Sequence, residues 1–191
     1  MTAALRPWPT VPVIGAQKCG TTSLHDYLAQ HPAIVPSRVK EVQYFDVPSR
    51  YAWGPDWYRS QFPLSTNGRP ALAFESTPNY LFHRDVPARM AQLVPDVRVI
   101  ALVRHPGVRA VSGYRHEIRK GRETLTLKDA LLAEADRVAP ALAARDYDSP
   151  VLRNCSYLGR GRYAEQLDRY YDAFPAEHVL VNRSEDLFAE P

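Results

Sequence analysis

The segment 11–23, VPVIGAQKCGTTS, constrains this chain more than any other. Val11, Val13 and Ile14 form a short apolar run bounded by prolines, which reads as a buried strand of a parallel sheet. Gly15 and Gly20 then allow a turn tight enough to point several N–H groups inward. Thr21, Thr22 and Ser23 open a helix expected to carry Leu24, Tyr27 and Leu28 on one face. Strand, glycine turn and helix N-terminus in succession make an anion site, because first-turn amides lack intrahelical partners and the helix dipole favours negative charge there.

The two glycines have the G-x-x-x-x-G spacing, but Thr21 and Thr22 stand where a Walker A loop has Lys-Ser/Thr. The loop's lysine, Lys18, lies inside it, placed to reach the outer end of a phosphate chain. The pattern suggests phosphate binding without the usual ATP chemistry; the plainer alternative is an ordinary strand-to-helix connection.

A second anion site is readable further on. The run 97–103, VRVIALV, is nearly continuous in branched apolar residues and belongs at the centre of a sheet. Arg104 follows, and Pro106 suits the first position of a new helix. At 3.6 residues per turn Ser112 is expected two turns beyond Arg104, on the same side as His105 and Arg109. An arginine fork and a serine hydroxyl there could grip another phosphate. The alternative is a surface salt bridge and a solvated serine.

Between and after these sites strands and helices alternate. Residues 34–36 and 71–74 read as extended. Helices are expected over 84–94, over 125–138 through Leu125, Leu127, Leu131, Leu132 and Val138, and from Arg162 through Tyr163, Leu167, Tyr170, Tyr171 and Phe174. A looser connection is expected from Pro140 to Ser156, and a strand over 178–182. The aromatic residues Tyr51, Trp53, Trp57, Tyr58 and Phe62 are expected mostly to pack on the core rather than to wall a pocket. This order specifies a three-layer α/β, P-loop-like fold: a central parallel sheet flanked by helices, with right-handed crossovers.

Composition narrows the function. A chain of 191 residues with 45% hydrophobic content supports one core and one domain. Its 24 basic and 21 acidic residues are mixed along the chain, so no charge block marks a nucleic-acid or anionic-membrane partner. Cys19 and Cys155 fit no metal-ligand spacing, and Cys19 reads as a small buried filler. The N-terminal segment lacks the apolar run of a signal peptide, and no stretch of about 18 apolar residues occurs. A soluble, cytoplasmic protein is expected; nothing here bears on oligomeric state.

Taken together, the chain resembles the sulfotransferases that use 3′-phosphoadenosine 5′-phosphosulfate (PAPS), within them the heparan sulfate and related bacterial branch. GAQKCGTTS resembles the family's 5′-phosphosulfate loop, and VRHPGVRAVSGY its 3′-phosphate element; KEVQYFD resembles the branch's KE-x-HFFD segment, and GRYAEQLDRYYDAFP its G-x-YA-x-x-L helix. The resemblance implies that Lys18, Gly20, Thr21, Thr22 and Ser23 hold the 5′-phosphosulfate and that Arg104 and Ser112 hold the 3′-phosphate. It further implies Glu41 as the base, Lys18 as the group that stabilises the leaving nucleotide, and Lys40 and Gln43 at the substrate.

The chain departs from the family in two places. Gln43 stands where the branch has histidine, and Ser76 where the family often has lysine. The lost lysine points to a carbohydrate or small hydroxyl acceptor less charged than heparan sulfate. The sequence also ends at Pro191, ahead of the family's C-terminal strand-loop region, as a short version or a truncated chain would. Two other readings are a P-loop nucleotide kinase, opposed by Thr21 and by Arg104 where a magnesium-binding acid would stand, and a degenerate nucleotide-binding module.

Overall fold

The computed structural model describes residues 7–63 and 72–189. Five short strands among these residues are all parallel: β1 (Val13–Gly15), β2 (Ile34–Pro36), β3 (Leu72–Phe74), β4 (Val99–Val103) and β5 (Val179–Arg183). β1, β4 and β5 pair in that order, β2 pairs with β3, and bridges Pro9–Ala73 and Val13–Ser76 join the two groups. The order across the array is therefore β2-β3-β1-β4-β5.

Nine α-helices lie among the described residues: α1 (Thr21–Ala29), α2 (Pro48–Tyr51), α3 (Gly54–Ser60), α4 (Val86–Leu93), α5 (Pro106–Arg119), α6 (Leu127–Ala143), α7 (Pro150–Cys155), α8 (Tyr163–Tyr171) and α9 (Ser184–Ala189). No helix among the described residues is long and apolar enough to cross a membrane. The main core packs Ile14, Phe45, Tyr58, Leu81, Met90, Val99 and Tyr170 around the strands. A second cluster gathers Ala110, Ala130, Val138, Tyr147, Leu152 and Tyr157 from α5, α6, α7 and their connections.

The topology creates the site. β1 sends the chain toward β2 and β3 on one side, whereas β4 sends it toward β5 on the other. Neighbouring connections therefore diverge at the carboxyl ends of β1 and β4, and such a switch point leaves a crevice where α/β sheets bind ligands.

The expected elements are present, with local differences. Ala71, first residue of one expected strand, lies outside the described residues. Tyr27 is 41% exposed, and α1 buries His25 instead, which bonds Ser76 Oγ at 2.9 Å. Leu125 and Leu132 point to solvent; the buried stripe of α6 runs through Ala130, Glu134 and Val138. Glu134 belongs there because its carboxylate accepts from the amides of Leu158 and Gly159, at 2.5 and 2.7 Å. α6 continues through Pro140 to Ala143, and α7 occupies part of the span expected to be a loose connection. Tyr171 is exposed, while Tyr170 and Phe174 are buried. Of the aromatic segment, Tyr58 and Phe62 are fully buried and Tyr51 and Trp57 pack on the core, leaving Trp53 exposed.

Candidate active site

The loop after β1 is fastened at both ends. Ala16 N donates to Leu102 O at 2.7 Å, tying the loop's base to β4, and Cys19 N donates to Ala16 O at 3.1 Å. Gly15 allows close packing, since a Cβ there would lie 2.7 Å from Leu81 Cβ. Gly20 has φ +86° and a Cβ would meet the Phe188 ring at 2.9 Å, so both conformation and space demand glycine. No side chain caps α1, so its first-turn amides remain open to a ligand.

Lys18, Thr21, Thr22, Lys40, Glu41 and Gln43 line one cleft of about 690 Å³ at this end of the sheet. Lys40 Nζ donates to Thr22 Oγ1 at 2.7 Å and lies 3.9 Å from Glu41 Oε1, linking the 40–46 segment to the loop. Gln43 Nε2 approaches Glu41 Oε2 at 3.5 Å. Burial, Arg119 and Lys40 lower the Lys18 pKa, with Glu117 opposing them. Gly20 and Ser23 do not form the cleft wall; Gly20 lies under Phe188. Cys19 is fully buried, and burial raises its thiol pKa.

Arg104 and Ser112 line an adjoining groove of about 560 Å³ with His105, Arg115 and Arg119. The two hollows are electrostatic neighbours, because Arg119 in the groove acts on Lys18 and Arg104 acts on Cys19. Arg109 does not join Ser112. It is fully buried, and its guanidinium donates to Tyr157 O instead of lining the groove. α9 braces the junction: Ser184 Oγ donates to the carbonyls of Cys19 and Val103, and Glu185 Oε1 accepts from His105 N at 3.2 Å.

Several residues of the cleft escaped the sequence reading. His116 lies one helical turn beyond Ser112 and faces the Lys18 side; burial and then Lys18 lower its pKa. That spacing was a usable signal. Arg153 and Arg160 come from α7 and the turn after it, far away in sequence, and nothing local marked them. Arg160 is buried, donates to Asn79 Oδ1 at 2.8 Å and stacks over Phe82, and burial, Arg109 and Arg153 push its pKa down to about 9. Glu75, at the end of β3, is fully buried and accepts from Tyr58, Thr77 and Tyr80. Ser76 is buried too and bonds His25, so this position faces the interior rather than the cleft.

Fold and site define a parallel α/β protein with a glycine loop opening a cleft after one strand and a basic groove at the end of the next. The sulfotransferase domain model matches residues 9–191, and the chain belongs to that family. It is 30% identical over 190 residues to the bifunctional heparan sulfate N-deacetylase/N-sulfotransferase 2 of Bos taurus, covering 96% of this chain and 20% of that protein. It is 32% identical to the human heparan sulfate glucosamine 3-O-sulfotransferase 6, covering 97% of this chain and 49% of that one. The chain thus spans between a fifth and about half of these relatives' length. The crystal structure of a sulfotransferase from Alicyclobacillus acidocaldarius superposes with a TM-score of 0.80 at 31% identity, covering 97% of this chain and 76% of that one. The sulfotransferase domain from the curacin biosynthetic pathway, at 16% identity and a TM-score of 0.58, shares the fold.

Proposed function

We propose that this chain transfers a sulfuryl group from PAPS to a hydroxyl of a carbohydrate or small-molecule acceptor. The observation that carries this reading is the meeting of Lys18, Thr22, Lys40 and Glu41 in one cleft, beside the Arg104–Ser112 groove at the next strand end. PAPS carries anionic groups at two separated ends, and the donors fit both. The open backbone amides of Gly20, Thr21, Thr22 and Ser23, with the Lys18, Thr21 and Thr22 side chains of the cleft wall, would hold the 5′-phosphosulfate, and Arg104 and Ser112 the 3′-phosphate.

When bound, PAPS supplies the activated sulfuryl group and a bisphosphate leaving group. Lys18 places a cation at the loop tip, where negative charge on a leaving oxygen is stabilised. Glu41 is the base that takes the acceptor hydroxyl's proton, with Lys40 and Gln43 beside it to orient carboxylate and acceptor. The Glu41 side chain is 45% exposed and so open to an acceptor hydroxyl, whose proton it takes as the oxygen–sulfur bond forms. The heparan sulfate acceptors named for the relatives make a hexosamine-containing oligosaccharide the first acceptor to try.

The test transfers radiolabelled sulfate from PAPS to a panel of glucosamine oligosaccharides, phenols and simple alcohols, while calorimetry reads adenosine 3′,5′-bisphosphate binding. Lys18→Ala and Glu41→Gln are each expected to lower turnover roughly a hundredfold, as loss of an electrostatic or acid–base group does. Glu41→Gln should leave the bisphosphate affinity unchanged. Full turnover in either variant removes that residue from the chemistry, and a protein that binds no bisphosphate refutes the cofactor.

A further inference from the structure

Glu75 is a buried carboxylate to which this reaction scheme gives no part. It leaves β3 directly beneath the segment that presents Glu41, with an exposure of 0%. The groups that hydrogen-bond its carboxylate are neutral hydroxyls: Tyr58 at 2.5 Å to Oε1, Thr77 at 2.7 Å to Oε2, and Tyr80 at 3.1 and 3.2 Å to the two oxygens. Buried carboxylates are costly unless well bonded, so these hydroxyls are held with their protons toward Glu75.

That orientation leaves the lone pairs of two of them facing outward, and both are used. Gln43 N donates to Thr77 Oγ1 at 3.3 Å, and Tyr44 N donates to Tyr80 Oη at 3.0 Å. Two consecutive amides of the Glu41 segment therefore end on hydroxyls that Glu75 has already oriented. Gln43 needs such restraint, because its φ of 53° is a left-handed conformation that non-glycine residues seldom adopt unless their surroundings impose it. Its side chain in turn reaches Glu41 Oε2, and the neighbouring Ser76 N donates to Lys40 O at 3.1 Å. The buried net thus touches the backbone of the segment on both sides of Glu41.

We infer that Glu75 is a positioning residue: through Thr77 and Tyr80 it fixes the amides of Gln43 and Tyr44, and so aims the Glu41 carboxylate into the cleft. The inference rests on the reading of Glu41 as the base. It assigns Glu75 no contact with acceptor or nucleotide. A misplacement of the base by a fraction of an ångström would appear as lost turnover with unchanged nucleotide binding, since catalysis is far more sensitive to such displacement than binding is.

The experiment compares Thr77→Val, Thr77→Ser and Glu41→Gln. Valine matches threonine in shape but can neither donate to Glu75 nor accept from Gln43, whereas serine can do both. Three quantities are read: sulfate transfer from PAPS to the best acceptor of the panel, adenosine 3′,5′-bisphosphate affinity, and amide hydrogen exchange at Gln43 and Tyr44. Thr77→Val should lower turnover about tenfold, keep the bisphosphate affinity within about twofold, and speed exchange at Gln43 at least about tenfold. Thr77→Ser should restore all three.

Native exchange at Gln43 in Thr77→Val, or full turnover despite faster exchange, overturns the inference. So does a turnover loss that comes with an equal loss of bisphosphate binding, or one that serine fails to restore; either marks a merely structural role. Glu41→Gln separates the two readings. If it keeps full turnover, the base assignment fails and the inference with it; if it is inactive while Thr77→Val is fully active, only the positioning role fails.

Discussion

Two buried glutamates, Glu75 beneath the cleft and Glu123 between α5 and α6, solve the same problem in opposite ways. Both are largely removed from solvent. Burial pushes the Glu123 carboxyl up, but the amides of Leu125 and Thr124, the Arg137 guanidinium at 2.7 Å and the Tyr157 hydroxyl at 2.8 Å outweigh it and hold the pKa at about 2. At Glu75 burial again pushes up, and Tyr58, Thr77 and Tyr80 offset only part of it, leaving a pKa of about 7. Burial raises both carboxyls, and the partners decide how far: Glu123 has two amides and a guanidinium to outweigh it, whereas Glu75 has hydroxyls alone. The distal cluster fixes its carboxylate with a cation, whereas the floor of the cleft holds one that gains or loses a proton near neutrality.

The largest effect is expected where the cation is removed. Arg137→Met leaves Glu123 buried with hydroxyl and amide partners only, and breaking a buried pair from one side costs about 3 kcal/mol or more. For a domain of this size that lowers the Tm by roughly 6–12 °C, measurable by calorimetry near pH 7. A change of less than about 1 kcal/mol would mean that the amides and Tyr157 suffice, and the contrast between the two sites would lose its basis.

Next comes the pH dependence. An unfolded glutamate releases its proton near pH 4.5, whereas folded Glu75 keeps its proton until about pH 7. Between those values the folded chain binds more protons, so the Glu75 contribution is fully favourable below 4.5 and stability is lost as pH rises through 7. Glu123 has the reverse sign: its contribution is complete above 4.5 and disappears as pH falls toward 2. The loss attached to Glu75 is on the order of 3 kcal/mol. Denaturant midpoints at pH 5 and pH 8 should therefore differ less in Glu75→Gln than in the parent protein; equal differences would place the Glu75 titration elsewhere.

The same contrast explains what the sequence could reveal. The strands and the hollows at the ends of β1 and β4 were legible because they depend on local signals: the branched run at 97–103, the glycines at 15 and 20, and Pro106 at a helix start. Lys40 and Glu41 were placed through the family resemblance, and the cleft does bring them to Lys18. The periodicity of α5 puts Arg109 on the side of Ser112 but does not say how deep it lies; it is fully buried against Tyr157 and takes no part in the groove. Glu134 could not be foreseen in the buried stripe of α6, since its carboxylate is matched by amides 24 and 25 residues away. Glu75 carries no local sign at all. Its importance lies in hydroxyls from α3 and from the turn after β3, and in amides some thirty residues earlier in the chain.

The smallest effect discriminates most finely between the two carboxylates. Tyr58→Phe removes a donor to Glu75, and Tyr157→Phe removes one to Glu123, each a bond to an acid worth about 1–2 kcal/mol when that acid is ionised. Glu123 stays ionised across pH 5–8, so the cost of Tyr157→Phe should be the same at both ends of that range. Glu75 is protonated at pH 5 in parent and variant alike, and a neutral acid gains less from a hydroxyl donor. Losing Tyr58 also raises the Glu75 pKa further, so the cost of Tyr58→Phe should be small at pH 5 and grow by about 1 kcal/mol toward pH 8. Denaturant unfolding of both variants at the two pH values measures this directly, because each parent–variant difference cancels the titrations the two proteins share. A Tyr58→Phe cost that does not change with pH would mean that Glu75 is ionised throughout, held like Glu123 after all.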